Sequence, residues 1–180
     1  KHNNVIIQIN SKNVGFSKGN NQGVKLSKFK YVMILNNDTL VPKGWLTKMM
    51  NSIKKDSKIG MVGPVSNSIS GRQQIKPPYQ KTEEFFNYAR KRIYSNKFPL
   101  SPRRRLAGFC LLIRKNLYIK VGGFSEEYLI GNFEDDDLSL KVRSEGFSLM
   151  VDENVMIHHY GSISFSENTI DYKKTINHNN

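Results

Sequence analysis

Three groups of side chains in this chain are of the types that hold cations or move protons, and each stands at the edge of an apolar stretch. Asn36, Asn37 and Asp38 follow directly on Tyr31, Val32, Met33, Ile34 and Leu35. Polar groups at the C-terminal tip of a buried strand are where α/β folds collect their ligands, although the same triplet also forms turns by bonding its own backbone. Glu134, Asp135, Asp136 and Asp137 open a stretch with helical spacing. Acids in a first helical turn are worth roughly 0.3–1 kcal/mol each. Four in a row exceed what capping requires and repel one another, so at least one is expected to take a proton or meet a cation. His158 and His159 end the last apolar run, where an imidazole serves either as a hydrogen-bonded structural group or as a metal ligand.

The hydropathy pattern supplies the elements that must carry these groups. Short β-branched or continuous apolar runs predict strands at 5–9, 31–35, 59–65, 106–113, 147–151 and 155–159. Between them, a Gly/Asn-rich entry at Gly15 leads into a helix running towards Lys28. Trp45, Leu46, Met49, Met50 and Ile53 recur at three and four residues and predict a helix with those side chains on its buried stripe. A helix over 82–94 carries Glu83 and Glu84 in its first turn, Arg90, Lys91 and Arg92 near its end, and Phe85, Phe86, Ala89 and Ile93 on its buried face. A helical turn over 116–121 stops at Gly122 and Gly123, and a helix over 134–145 stops at Gly146. The segments 66–78 and 97–105 read as loops, the second strongly basic. Strands alternating with helices predict an α/β sheet covered on both faces.

The chain's 180 residues, 38% of them hydrophobic, suffice for one domain with a sizeable core. That domain is placed at residues 1–165, with a polar C-terminal tail over 166–180. Cys110 is the single cysteine, which excludes an intrachain disulfide and a cysteine metal cluster and suits a reducing, cytoplasmic setting. No apolar run approaches the roughly 18 residues that cross a bilayer, so a soluble chain is expected. A formal net charge of +13 calls for an anionic partner: nucleic acid, an acidic membrane surface or a phosphorylated small molecule. Arg103, Arg104 and Arg105 admit the same three partners or none, since charge runs are often merely solvated.

Four segments in order carry a resemblance. They are Asn13-Val14-Gly15-Phe16-Ser17-Lys18-Gly19-Asn20-Asn21-Gln22-Gly23, Leu35-Asn36-Asn37-Asp38-Thr39, Gly122-Gly123-Phe124-Ser125-Glu126 and Phe133-Glu134-Asp135-Asp136-Asp137-Leu138. Together they resemble the inverting family 2 glycosyltransferases with the GT-A fold, over about residues 10–164, with rhamnosyltransferase-like members among those closest in pattern. The resemblance implies a Rossmann-like three-layer α/β/α domain with a mixed, mostly parallel sheet, and a chain that starts after the family's first strands. In the family's sheet those strands lie between the ones matching 5–9 and 31–35, so both would lose a neighbour.

It also implies roles. Asp38 would hold a divalent cation, Mn²⁺ or Mg²⁺, against the donor diphosphate, with His158 completing the metal shell; Asn36 stands where the family has Asp. Asp135 matches the general base that takes the acceptor hydroxyl's proton, and Glu134 would bind the acceptor or support the base. Asn13, Gly15, Asn20, Asn21, Asn36 and Asn37 match nucleotide-sugar-binding positions; Gly108, Phe109 and Cys110 match the acceptor side. The activity so implied is transfer of a sugar, with inversion, from a nucleotide-diphosphate donor to a saccharide or lipid-linked acceptor, in cell-surface polysaccharide synthesis, with possible contact at an anionic membrane. Two rival readings remain at this point: a non-catalytic sugar- or partner-binding relative, and a basic nucleic-acid-binding domain, against which the absence of a nucleic-acid-binding motif counts.

Overall fold

The computed structural model describes residues 4–128 and 133–161; the C-terminal tail expected over 166–180 lies outside them. Elements follow the order α1 (Gly15–Leu26), β1 (Tyr31–Leu35), β2 (Thr39–Leu40), α2 (Trp45–Lys54), β3 (Ile59–Ser66), α3 (Thr82–Ser95), β4 (Leu100–Arg103), β5 (Cys110–Arg114), α4 (Lys115–Lys120), α5 (Glu134–Ser144) and β6 (Ser148–His159). The sheet runs β1-β5-β3-β6-β2, with β4 also pairing β6.

β3 is buried at every position, as expected of a central strand with both faces covered. Alternation along the strands divides the core in two. Leu111 and Ile113 of β5 join Phe85, Ala89, Leu117, Leu138 and Val142, contributed by α3, α4 and α5. Cys110 and Leu112 face the other way, onto Met49 and Ile53 of α2. The result is the expected three-layer α/β/α arrangement with a mixed sheet. The expected dominance of parallel pairs is corrected: β3 and β6 run parallel, while β1–β5, β3–β5, β4–β6 and β2–β6 are antiparallel. β5 lies between β1 and β3 but points against both, which strand–helix alternation in the sequence does not reveal.

Four further expectations are corrected. Residues 5–9 form no strand, and Val5, Ile6, Ile7 and Ile9 are 62–84% exposed: a β-branched run becomes a strand only where a neighbour accepts its backbone bonds. The basic loop 97–105 contains β4, with Leu100 opposite Asp152 and Arg103 opposite Leu149. Phe86, expected on the buried face of α3, is 47% exposed, while Arg92 of that helix is buried, lying 3.5 Å over the Phe98 ring and donating through Nε to the Glu153 carbonyl at 2.6 Å.

The last correction bears on the site. The two strands expected at 147–151 and 155–159 are one strand, β6, interrupted by a shift of register: Pro64 pairs with Asp152, but the next residue, Val65, pairs with Met156. Buried Asp152 holds the irregularity, accepting from Ser52 Oγ at 2.6 Å and from the Asn154 backbone and side-chain amides at 3.1 and 3.0 Å. The shift changes which parity faces which layer. Leu149 and Val151 face the α3/α5 side before it, but Met156 faces that side after it, and Ile157 faces α2.

Candidate functional site

β1 ends where Asn36 donates its N–H to the Phe109 carbonyl at 2.8 Å. Asn37 and Asp38 then turn the chain into β2, which pairs Thr39 with His159 and Leu40 with His158. Thr39 Oγ1 donates to the Asn36 carbonyl at 2.7 Å and Tyr160 N–H to the Asp38 carbonyl at 3.0 Å. The Asn36-Asn37-Asp38 triplet is therefore a turn, and also a turn that aims a carboxylate: Asp38 Oδ1 lies 3.1 Å from Nε2 of His159.

The ring beside Asp38 thus belongs to His159, whereas the resemblance gave the metal-shell imidazole to His158. Uninterrupted alternation from Leu149 would put His158 on the α2 side of the sheet; the register shift at Asp152 puts His159 there instead, its ring 5.1 Å from that of Phe109. His158 points to the other layer, among Phe85, Tyr79 and Tyr160. Its Nδ1 lies 2.7 Å from the Tyr79 hydroxyl. Burial, and next the charge of His159, push the His158 pKa down, while burial pushes Tyr79 up to about 12. The phenol keeps its proton and donates it to a neutral ring.

The loop after β3, read from sequence as too polar to pack, holds His159. Asn67 clasps its backbone, donating Nδ2–H to the His159 carbonyl at 3.0 Å and accepting its N–H at 2.9 Å. Nδ1 of the ring meets the Ser68 carbonyl at 2.7 Å. A carbonyl can only accept, so Nδ1 carries the hydrogen, and the Nε2 of a neutral ring turns its lone pair towards the Asp38 carboxylate. Two acceptors facing each other require a positive charge between or on them, either a proton on Nε2 or a bound cation. A backbone carbonyl fixing the far nitrogen is how metal-ligating histidines are usually oriented. Neighbouring ligands of an octahedral cation, at about 2.1 Å and right angles, lie about 3.0 Å apart, close to the spacing observed. The pair fits a divalent cation that takes its remaining ligands elsewhere; among the described residues no three His, Cys, Asp or Glu side chains converge on one point.

At the start of α5 the four acids divide. Asp135 Oδ2 accepts the Gly108 N–H and Oδ1 the Asp136 N–H, both at 2.9 Å. Asp136 pairs with Arg105 at 3.0 Å and Asp137 with Lys141 at 2.6 Å, one helical turn on. Glu134 is buried, and its Oε2 has no partner among the described residues. Burial, reinforced by the charges of Asp135 and Asp136 and opposed by its own backbone N–H, pushes its pKa up to about 7. The preceding residue, Phe133, sits at φ 71°, a left-handed conformation that costs a bulky side chain about 1–3 kcal/mol.

Gly108 and Phe109 link the two carboxylates. The Gly108 N–H binds Asp135, and the Phe109 ring packs on His159, the partner of Asp38. A Cβ on Gly108 would stand 3.4 Å from both the Asp135 Cβ and the Phe16 ring, so that position is closely filled. Cys110, expected on the acceptor side, is fully buried on the α2 face, 3.9 Å from Met33 Sδ, and burial pushes its thiol far up.

Of the α1 residues, Asn13 accepts the Gly15 N–H at 2.9 Å, which starts the helix, and Asn20 donates to the Phe16 carbonyl. Asn21, matched by the resemblance to a nucleotide contact, forms a structural clasp. Its Nδ2 donates to the Phe124 carbonyl and Glu126 Oε1, and its Oδ1 accepts from the Tyr118 hydroxyl and the Phe124 N–H. The clasp presses on Gly123, where a Cβ would fall 2.7 Å from Asn21 Oδ1 and 2.6 Å from the Tyr118 ring at φ +67°. The residues sequence reasoning missed are His159, Asn67, Ser68 and Tyr79. Only His159 carried a signal, as one of two adjacent imidazoles.

Comparison with known proteins bears on this arrangement. The family model described as Glycosyl transferase family 2 matches residues 1–122, more than half of the chain. An uncharacterized protein of Mycobacterium tuberculosis is 28% identical over 155 residues, covering 83% of this chain and 55% of that protein. An uncharacterized protein of Sinorhizobium fredii is 24% identical over 165 residues, 83% of this chain and 17% of its own. The chain therefore spans about half the length, or less, of these relatives. Among solved structures, GalNAc-T7 with UDP, GalNAc and Mn²⁺ superposes with a TM-score of 0.61 at 15% identity, over 83% of this chain and 31% of that one. The mannosyltransferase PcManGT of Pyrobaculum calidifontis, in complex with GDP-Man and Mn²⁺, gives 0.56 at 16% identity, over 83% and 37%. At these identities the likeness is one of fold, and the fold is GT-A.

Proposed function

The chain belongs to glycosyl transferase family 2, and from that premise we propose that it carries the metal and acceptor sites of an inverting transferase that moves a sugar from a nucleoside diphosphate to an acceptor hydroxyl. The observation that carries the reading is the Asp38–His159 pair, with its ring tautomer set by the Ser68 carbonyl. The complexes of the two similar folds contain Mn²⁺ with a nucleotide or nucleotide sugar, which supports a divalent cation here. A cation bound there, Mn²⁺ or Mg²⁺, would neutralise charge that develops on the diphosphate as it leaves. Asp38 and His159 would hold it from the protein side, with diphosphate oxygens and water as the remaining ligands expected where a metal binds a phosphorylated substrate.

Asp135 takes the proton. Each of its oxygens accepts one backbone N–H, which fixes the plane of the carboxylate and leaves each oxygen a second lone pair. As the acceptor oxygen forms its bond to the sugar's C1, its proton passes to Asp135 and the bond from C1 to the diphosphate breaks. Attack from the face opposite the leaving group inverts the anomeric centre. Glu134, with its pKa pushed to about 7, holds a proton over much of the neutral range and can donate a hydrogen bond to an acceptor hydroxyl. Asn13, Gly15, Asn20 and Asn37 lie on the donor side in this reading, and cell-surface polysaccharide is the product class it favours.

Mn²⁺ titration of the isotope-labelled chain tests the central claim. Paramagnetic broadening should centre on Asp38, Asn67 and His159, tighten when UDP, GDP or TDP is added, and vanish in Asp38→Asn. Broadening elsewhere, or none with any nucleotide, would overturn the reading and leave a non-catalytic member of the family.

A further inference from the structure

A groove of about 700 Å³ opens between the loop after β3 and the segment that leaves β4, and four arginines line it: Arg72, Arg103, Arg104 and Arg105. Arg103 is paired with Glu153 at 2.8 Å, and Arg105 with Asp136 at 3.0 Å. Arg72 and Arg104 are exposed and form no ion pair with any described residue. A smaller cavity of about 360 Å³ shares Pro102 and Arg103 with the groove and adds Arg143, whose guanidinium reaches the Arg104 carbonyl at 3.5 Å. Four arginines thus line one groove and a fifth its smaller neighbour, with Glu153 and Asp136 as the carboxylates paired to them, an excess of positive charge that attracts an anion.

The floor of the groove is rigid and tied to the acceptor side. Gln73 is buried, accepting the Ala107 N–H at 2.8 Å and donating to the Pro64 carbonyl at 2.7 Å. From the groove the chain runs along the start of α5, each residue held: Arg105 by Asp136, the Leu106 N–H by Ser139 Oγ, and the Gly108 N–H by Asp135. Two residues, Leu106 and Ala107, separate Arg105 from Gly108, so the two lie at most about 11 Å apart along the chain. An anion in the groove therefore lies within reach of a small molecule whose hydroxyl is at Asp135.

We propose that this groove binds a phosphate or diphosphate group borne by the acceptor, so that the acceptor's anionic end sits on Arg72 and Arg104 while its hydroxyl meets Asp135. The inference rests on the reading of Asp135 as the acceptor's base. Guanidinium forks match phosphate oxygens in pairs and lose little hydration on binding. Nucleic acid fits less well, because no exposed aromatic lines the groove on which a base could stack.

Titration of the labelled full chain with sodium pyrophosphate, without divalent metal, tests the site directly. Saturable shifts at Gly71–Gln73 and Arg103–Arg105 are expected, weakened about tenfold or more in Arg72→Gln/Arg104→Gln. The control Lys43→Gln/Lys54→Gln, which removes the same charge elsewhere, should match the parent. Vesicles of phosphatidylcholine with phosphatidylglycerol identify the source of the phosphate. Sedimentation with them that pyrophosphate reverses indicates a lipid-borne acceptor, and binding of pyrophosphate alone indicates a water-soluble one. The proposal is overturned if the groove does not shift, if both double variants lose affinity equally, or if a short single-stranded oligonucleotide binds there and resists displacement. None of these outcomes depends on the Mn²⁺ response at Asp38, so the groove and the metal site can fail separately.

Discussion

The two carboxylate centres of this molecule are built on opposite principles. At the Asp38–His159 corner, a turn, a strand end and a loop each donate one part, and Asn67 and Ser68 fix the ring on both its backbone and its far nitrogen. At the start of α5 four acids come from one short stretch of sequence, and the surroundings satisfy three of them: Asp135 by two backbone amides, Asp136 by Arg105 and Asp137 by Lys141. Glu134 is left buried with a raised pKa. The contrast teaches that sequence clustering announces chemistry loudly but assigns it poorly, because adjacent acids acquire different work from what packs against them.

The contrast can be broken most severely at Asp135. Asp135→Asn keeps one of the two backbone contacts through its carboxamide oxygen but cannot take a proton, so transfer from a nucleotide sugar, followed as released nucleoside diphosphate, should fall about 10²–10⁴-fold. Next in size is the metal corner. His159→Ala should weaken Mn²⁺ binding about 10–100-fold, whereas His158→Ala, which loses a contact to Tyr79 on the other face, should leave it nearly unchanged; calorimetry separates the two. If His158 proves the more important, the register shift in β6 has been misjudged.

Asn21→Ala sharpens the distinction between site and scaffold. It leaves the Tyr118 hydroxyl without its acceptor and the Phe124 carbonyl without its donor, a loss of about 1–3 kcal/mol in denaturant unfolding, with Mn²⁺ affinity retained. The smallest effect is expected at Glu134. Its folded pKa of about 7 exceeds the ordinary 4.5, so its protonated form favours the fold at low pH, and that stability is lost as pH rises from 4.5 through about 7. Glu134→Gln should melt like the parent near pH 4 and at a higher temperature than the parent near pH 8.

Much of the fold was legible in the sequence because it depends on local pattern. The polar-free run over 59–65 became the central strand β3, which extends to Ser66; Trp45, Met49 and Ile53 at helical spacing became the stripe of α2. Gly122, Gly123 and Gly146 end helices at positive φ, as their residue type suggests. The elements that were not legible depend on partners distant in sequence. Residues 5–9 have the composition of a strand and no strand beside them, while β4 contains Pro102 and Arg103 and forms only because β6 offers its edge. The resemblance named Asp38 and Asp135 but not Asn67 or Ser68, since a loop of small polar residues looks the same whether or not a histidine is clasped in it.

The sequence by itself determined the three-layer α/β class, the strand-end position of Asp38 and the helix-start position of Asp135, because hydrophobic period and turn chemistry act within a few residues. Tertiary structure alone decided that β5 runs against its neighbours, that Arg72 shares a groove with the arginines after β4, and that His159 rather than His158 faces Asp38. The last depends on a buried aspartate seven residues before His159: side chains alternate along a strand with period two, so a register shift in mid-strand exchanges the faces of every residue beyond it.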